Sequence, residues 1–224
     1  MGITITGNVT LGSVTISTPL PAIGTSYGGG YIGAYISMNQ DGVATHMLIL
    51  APKSSQATNI LPNGGTDGLS SLINGYQNTV TGANAGSPSL SYARNLTVGG
   101  YTDWYLPAYY EWDAIYYNLK PTTDNNITGN NGAAGVQYGV NPYAVPKRTT
   151  AWTTTSPTMT TVSAFQTGNS EAFGTATYLG SFWISSWWPF ATSGIHPNMP
   201  NGAATYIGFG GDGPQHRAIR KIAL

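Results

Sequence analysis

The sequence predicts an α+β protein with two helices and a mainly antiparallel sheet joined by long loops. Three observations carry that expectation. Apolar residues recur at helical spacing over residues 67–77 and again over 107–119. Short strand-like runs, broken by Gly, Asn, Asp and Pro, lie before, between and after them. The chain is 41% hydrophobic with six Trp and 15 Tyr, enough buriable surface to outweigh the 30 Gly and 14 Pro that would otherwise suggest disorder. At 224 residues it suits one large domain with a small appendage.

Residues 3–17, ITITGNVTLGSVTIS, alternate apolar and small polar side chains around Gly7-Asn8 and Leu11-Gly12-Ser13, the pattern of a hairpin or a pair of edge strands. Thr18-Pro19-Leu20-Pro21 then reads as a stiff, extended connector. Residues 1–26 are therefore expected to form an N-terminal β arm for attachment or oligomerisation, an ordinary first strand being the plainer reading. Residues 27–224 form the main domain. A hairpin is predicted from Tyr27–Tyr35 through the turn Asn39-Gln40-Asp41-Gly42 into Thr45–Pro52, its second strand buried.

The first helix is expected from Asp67 to about Gln77, capped by Thr66 or Asp67, with Leu69, Leu72, Ile73 and Tyr76 on one face. A Gly/Ser/Pro loop leads to Arg94–Leu119, RNLTVGGYTDWYLPAYYEWDAIYYNL. There Gly99-Gly100 supplies a turn, Tyr101–Leu106 an aromatic strand, and Pro107 the first turn of a helix. Trp112, Ile115, Tyr116 and Leu119 share a face of that helix, and Pro121 ends it. Residues 122–150 read as a long polar connection of functional or assembly type, and Val162–Phe173 as a short segment among Thr-rich strand-like pieces. Thr177–Ser186, Ala203–Phe209 and His216–Leu224 read as the last strands.

The run Asn95–Pro107, with GYTDWYLP at its centre and a helix ending Tyr117-Asn118-Leu119, resembles the "GYSDWYLPS" signature of a C-type-lectin-like family. That family includes phage tail-fibre domains and the C-terminal domain of bacterial collagen-like adhesins. The likeness extends to Gly28–Tyr31 with Leu48–Lys53, to Phe182–Ser186 where "YWSST" is usual, and to Arg217–Ile222, similar to a closing "VRAVR" strand. It covers residues 27–224. Ala108 departs from the usual capping Ser, and the stretch after Trp187 is unusually apolar and Pro-rich. The resemblance implies a C-type-lectin-like fold, often in an adhesin or a virion appendage, and does not imply sugar binding.

In such folds the connections before the last strands form the ligand face. This points to Trp187, Trp188 and Phe190, with His196 and Asn198 in the loop that follows and Tyr206 on the next strand, since exposed aromatic and His side chains stack on sugars or pack on proteins at low entropy cost. The same aromatics also suit a core or a subunit interface. Trp104 and Trp183, inside the strand-like runs, read as core. Asn141-Pro142 and Pro197-Asn198 lack the neighbouring acid pair that a calcium site needs, so neither calcium nor another metal or cofactor is expected. Asp103, Arg94, Arg217 and Arg220 read as ion-pair or capping residues.

Charged residues make up only 7% of the chain, and eight acids balance eight bases, which argues against nucleic acid as a partner. The absence of Cys excludes disulfides and the cysteine chemistry of sulfatase-modifying enzymes that share the general fold. His46, His196 and His216 stand at no nucleophile spacing, and Glu111 and Asp113 are too close on one helix to flank a glycosidic bond, so the chain does not read as an enzyme. No run approaches the roughly 18 apolar residues of a membrane span, and the first residues lack a signal-peptide pattern.

Together these features lead to the expectation of a virion appendage subunit, a tail fibre or fibre tip made in the host cytoplasm. It would adhere to a host-surface glycan or protein and meet other virion proteins through its arm, as a homo-oligomer, with trimers common for fibres. The alternative is a decoration, neck or baseplate protein with no receptor role.

Overall fold

Strands β2 (Gly30–Ile36) and β3 (His46–Leu50) form the predicted hairpin in the computed structural model, which describes residues 19–58, 70–83, 87–131, 135–174, 182, 184–186, 195–206 and 215–224. β3 is central, as expected. It lies between β2 and the last strand, β10 (Ile219–Ala223), while β1 (Ser26–Tyr27) flanks β2, giving an antiparallel order β1-β2-β3-β10. The register shifts between Ile32 and Ala34, so a bulge places Ile32 and Tyr35 on one face and Ala34 and Ile36 on the other.

Both faces are covered. On one, Ala34, Ile36, Leu48, Leu50 and Ile219 pack against helix α3 (Tyr109–Leu119), whose Trp112, Ile115, Tyr116 and Leu119 are buried as their spacing predicts. On the other, Ile32, Met47 and Ile49 pack with Trp104, Leu106 and helix α2 (Pro88–Asn95). The fold is thus α+β, with three α-helices among the described residues where two were expected.

The added helix is α2, which lies in the stretch read as a loop. Ser87 precedes it and Pro88 occupies its first turn, where the missing N–H is harmless. Helix α1 (Gly75–Gly82) starts well after the predicted Thr66 or Asp67, which lie outside the described residues. Its cap is Asn74, whose Oδ1 accepts from the Gln77 N–H at 3.1 Å. Gly75 is the first residue of this helix. A Cβ there would come within 2.5 Å of the Leu106 carbonyl and 2.6 Å of the Ala108 nitrogen.

The Gly99-Gly100 turn forms as predicted, both residues at positive φ and Val98 and Tyr101 exchanging backbone hydrogen bonds of 3.1 Å. Tyr101–Leu106 is not a continuous strand. Only Tyr105 pairs further, bridging to Ile219 on the outer side of β10. Pro107 stands one residue before the Ala108 cap rather than inside the helix, and its carbonyl accepts from the Ser185 N–H at 2.8 Å.

The remaining regular elements are small. β4 (Ala57–Thr58) pairs with β9 (Gln215–His216), β5 (Asn130–Asn131) with β6 (Val136–Gln137), and β7 (Ile195–Pro197) with β8 (Ala204–Tyr206). Ser163–Phe165 is a single 3-10 turn within the predicted short segment. Phe182 makes one bridge, to Gln215, and residues 184–186 are not a strand. The expected arm lies outside the described residues up to Thr18. Within residues 19–26, Gly24 and Thr25 hydrogen-bond to Ile32, and Pro21 accepts from the Tyr35 hydroxyl. No helix among the described residues is long and apolar enough to cross a membrane.

Candidate functional site

Of the six residues expected on a ligand face, Trp187, Trp188 and Phe190 lie outside the described residues. The backbones of His196 and Tyr206 are described and sit on β7 and β8, in the hairpin that Asn198 continues. This hairpin turns inward more than an exposed loop would. Pro197, Met199 and Pro200 are buried, and Met199 Sδ accepts from the Trp112 indole N–H at 3.3 Å, so Met199 belongs to the core under α3. Asn198 is half-buried, with its backbone tied to Ala203 and Gly202. Its Oδ1 is shielded from solvent and has no partner among the described residues.

Helix α3 carries an unexpected polar content. Glu111, Asp113 and Lys120, which follows the helix, are all buried, and each holds a different segment. Glu111 Oε2 accepts from the N–H groups of Gly75 at 3.1 Å and Ala108 at 2.9 Å, and Oε1 accepts from the Tyr105 hydroxyl at 2.9 Å and Lys221 Nζ at 3.2 Å. Burial raises its carboxyl above the usual range and Lys221 opposes this. Asp113 pairs with Arg148 and accepts from Asn141 Nδ2 at 2.6 Å. Burial pulls the Arg148 guanidinium down to about 10, so it stays charged, and it lies 4.4 Å from the centre of the Tyr117 ring. Asn141 Nδ2 also donates to the Tyr110 carbonyl at 2.9 Å, and its Oδ1 accepts from the Tyr143 N–H at 3.0 Å. Glu111 and Asp113 both have 0% exposure.

The expected ion pairs are present on the opposite face and the rim. Arg220 holds Asp103 through two nitrogens, donates to the Gly28 carbonyl at 2.7 Å, and stacks 3.7 Å from the Tyr101 ring centre. Arg217 pairs with Glu171 between the rings of Phe165 and Phe173. Arg94 is exposed on the last turn of α2. Among the described residues no group of three His, Asp or Glu side chains is arranged to hold a metal ion.

His216 is fully buried and meets the Tyr92 ring edge-on at 5.1 Å; burial lowers its pKa to about 4. The unfolded chain therefore binds the extra proton between pH 6.5 and 4, and stability is lost as pH falls through that window. The lowering from 6.5 to about 4 sets a ceiling of about 3 kcal/mol. Thermal melts from pH 7 to pH 4 are expected to show a falling Tm, with a smaller fall in His216→Gln. An equal fall in both proteins would assign the effect to other groups.

One open groove, of about 460 Å³, is bounded by Ala22 and Ile23, by Tyr117 and Asn118 on α3, and by the run 156–162. None of its lining residues is charged. Nothing in the sequence marked it, because its walls come from three distant segments of ordinary composition. No family model, curated protein or solved structure matches this chain.

Proposed function

We propose that this chain is a phage virion appendage subunit, a tail fibre or fibre tip, that contacts the host surface through a C-type-lectin-like domain. The observation that carries the reading is the role of the GYTDWYLP element in the fold. It turns at Gly99-Gly100, buries Trp104, bridges Tyr105 to the closing strand and delivers the chain into α3. The opening hairpin and the closing strand lie side by side in one sheet, so residues 120–217 form a long excursion between α3 and β10. Parts of this excursion, such as Met199 and Phe165, are core, and its exposed connections are where a recognition surface can vary.

Trp187, Trp188, Phe190, His196, Asn198 and Tyr206 are proposed to contribute the contact surface, to a glycan or a protein. Adhesion is multivalent, because one bound copy raises the effective concentration of the next. Purified full-length oligomer is expected to bind host cells and to reduce phage adsorption, and a Trp187→Ala, Trp188→Ala variant to do neither while melting normally. Virions that adsorb normally in the presence of saturating oligomer would favour the decoration, neck or baseplate alternative.

A further inference from the structure

We infer that the groove beside α3 receives the N-terminal arm of a second copy of this chain. The inference stands on the groove and the arm alone and does not depend on the adhesion reading.

The groove has the chemistry of a strand acceptor. Along the run 158–162, Thr160 points its bonding capacity inward. Its N–H donates to the Lys120 carbonyl at 2.8 Å, its carbonyl accepts from Gln166 Nε2 at 2.9 Å, and its Oγ1 accepts from the Val162 N–H at 3.2 Å. The flanking backbone is different. Among the described residues, the N–H and C=O groups of Thr158, Met159 and Thr161 make no hydrogen bond, and Thr158 and Thr161 are exposed. An exposed run of unpaired backbone beside a shallow, partly apolar groove is what an added peptide strand pairs with, the side chains of Met159, Val162 and Ile23 offering apolar contacts. The wall is fixed in advance, because Lys120 Nζ and Asn126 Nδ2 both hold the Pro157 carbonyl.

The arm matches this acceptor. MGITITGNVTLGSVTIST carries no charged side chain, alternates apolar residues with Thr and Ser, and is rich in the β-branched residues that favour extended pairing. A neutral strand enters a neutral groove without desolvating an ion. The occupant is a neighbour's arm because of the connector. Pro21 is anchored by the Tyr35 hydroxyl at 2.6 Å, on the groove's rim next to Ala22, and Pro19 and Pro21 fix their own φ and bias the preceding residues to extended backbone. Residues 19–22 make no turn that would fold the arm straight back over the groove its own chain supplies. The 18 residues before them span up to about 60 Å when extended, enough to reach another copy.

The chain has no Cys, so a cross-link can be engineered without background. One full-length chain carries Ser13→Cys, or Val9→Cys or Ser17→Cys in parallel, and a second full-length chain carries Thr158→Cys. Mixed and oxidised, they are expected to yield a disulfide-linked pair of one chain of each kind. In sedimentation, the wild-type chain is expected to be oligomeric, and both deletion of residues 1–18 and the exposed substitution Thr161→Glu are expected to give monomers with unchanged far-UV circular dichroism. A synthetic peptide of residues 1–18 is expected to bind the deleted protein at least tenfold more tightly than its Thr161→Glu form. A monomeric wild-type chain, an oligomer that survives both changes, no disulfide between the two kinds of chain with any of the three arm positions, or peptide binding indifferent to Thr161→Glu would each overturn the inference.

Discussion

Replacing Glu111 by Ala is expected to remove about 3–5 kcal/mol of stability, the cost of breaking a buried charged cluster by deleting one partner. For a chain of this size that corresponds to a fall in Tm of about 6–20 °C. The reason is the number of donors left behind. The N–H groups of Gly75 and Ala108, the Tyr105 hydroxyl and Lys221 Nζ converge on one carboxylate with 0% exposure. These donors belong to the start of α1, the cap of α3, the Tyr105 bridge and β10, so the single side chain ties together segments far apart in sequence. Glu111→Gln is expected to recover little. An amide presents one oxygen and one NH2 group, and whichever way it is turned the NH2 faces two donors. Hydrogen exchange should rise first at residues 75–77 and around Tyr105, ahead of the β2–β3 pairing. A Glu111→Gln protein as stable as wild type would show that the carboxyl is protonated in the fold and that this account of it is wrong.

The parts of the fold legible in the sequence are those where apolar spacing or turn chemistry acts locally. Gly99-Gly100 needed two positive φ angles, and β2, β3 and the buried face of α3 announce themselves by ordinary apolar residues. Helix α1 was misplaced for a physical reason. Its buried positions are Gly75, Asn78, Thr79 and Gly82, small or polar residues that let it approach Leu106 and Ala108, while its Tyr76 and Val80 are exposed. An apolar periodicity search therefore locks onto Leu69, Leu72 and Ile73 before it. Asn78 donates to the Ser71 carbonyl at 2.8 Å and Thr79 Oγ1 accepts from the Leu106 N–H at 3.1 Å, contacts that periodicity cannot foresee.

The roles of Glu111, Asp113 and Lys120 were not legible in the sequence either, because burial of a charge depends on partners distant in sequence such as Lys221 and Arg148. The candidate ligand face was legible only as composition. Its described neighbourhood is partly core, since Met199 packs with α3 residues and Pro197 and Pro200 are buried. The groove was invisible for the opposite reason, that no single segment supplies it.

Among the described residues of the connection from 122 to 160 the only regular elements are β5 and β6, and Asn126 ties this connection to α3 and to residues 153–157. Its Oδ1 accepts from Lys120 Nζ at 2.8 Å and from the Tyr116 hydroxyl at 2.7 Å, while Nδ2 donates to the carbonyls of Thr153 and Pro157 at 3.0 Å each. Lys120 has 1% exposure and its ammonium also reaches the carbonyls of Asp124 and Pro157. Asn126→Ala is expected to cost about 3–5 kcal/mol, because it strips a buried ammonium and a buried phenol of their shared acceptor at once. Asn126→Asp keeps that acceptor and loses only the two donors, so it should recover part of the deficit. Lys120→Met is expected to cost less than Asn126→Ala, about 1–2 kcal/mol, since Asn126 Oδ1 still has Tyr116 and the Pro157 carbonyl still has Nδ2. The decisive measurement is the double variant. If Lys120 is costly only when its acceptor is missing, the two changes together should destabilise by clearly less than their sum, and simple additivity in urea unfolding would mean that the ammonium and the amide act independently.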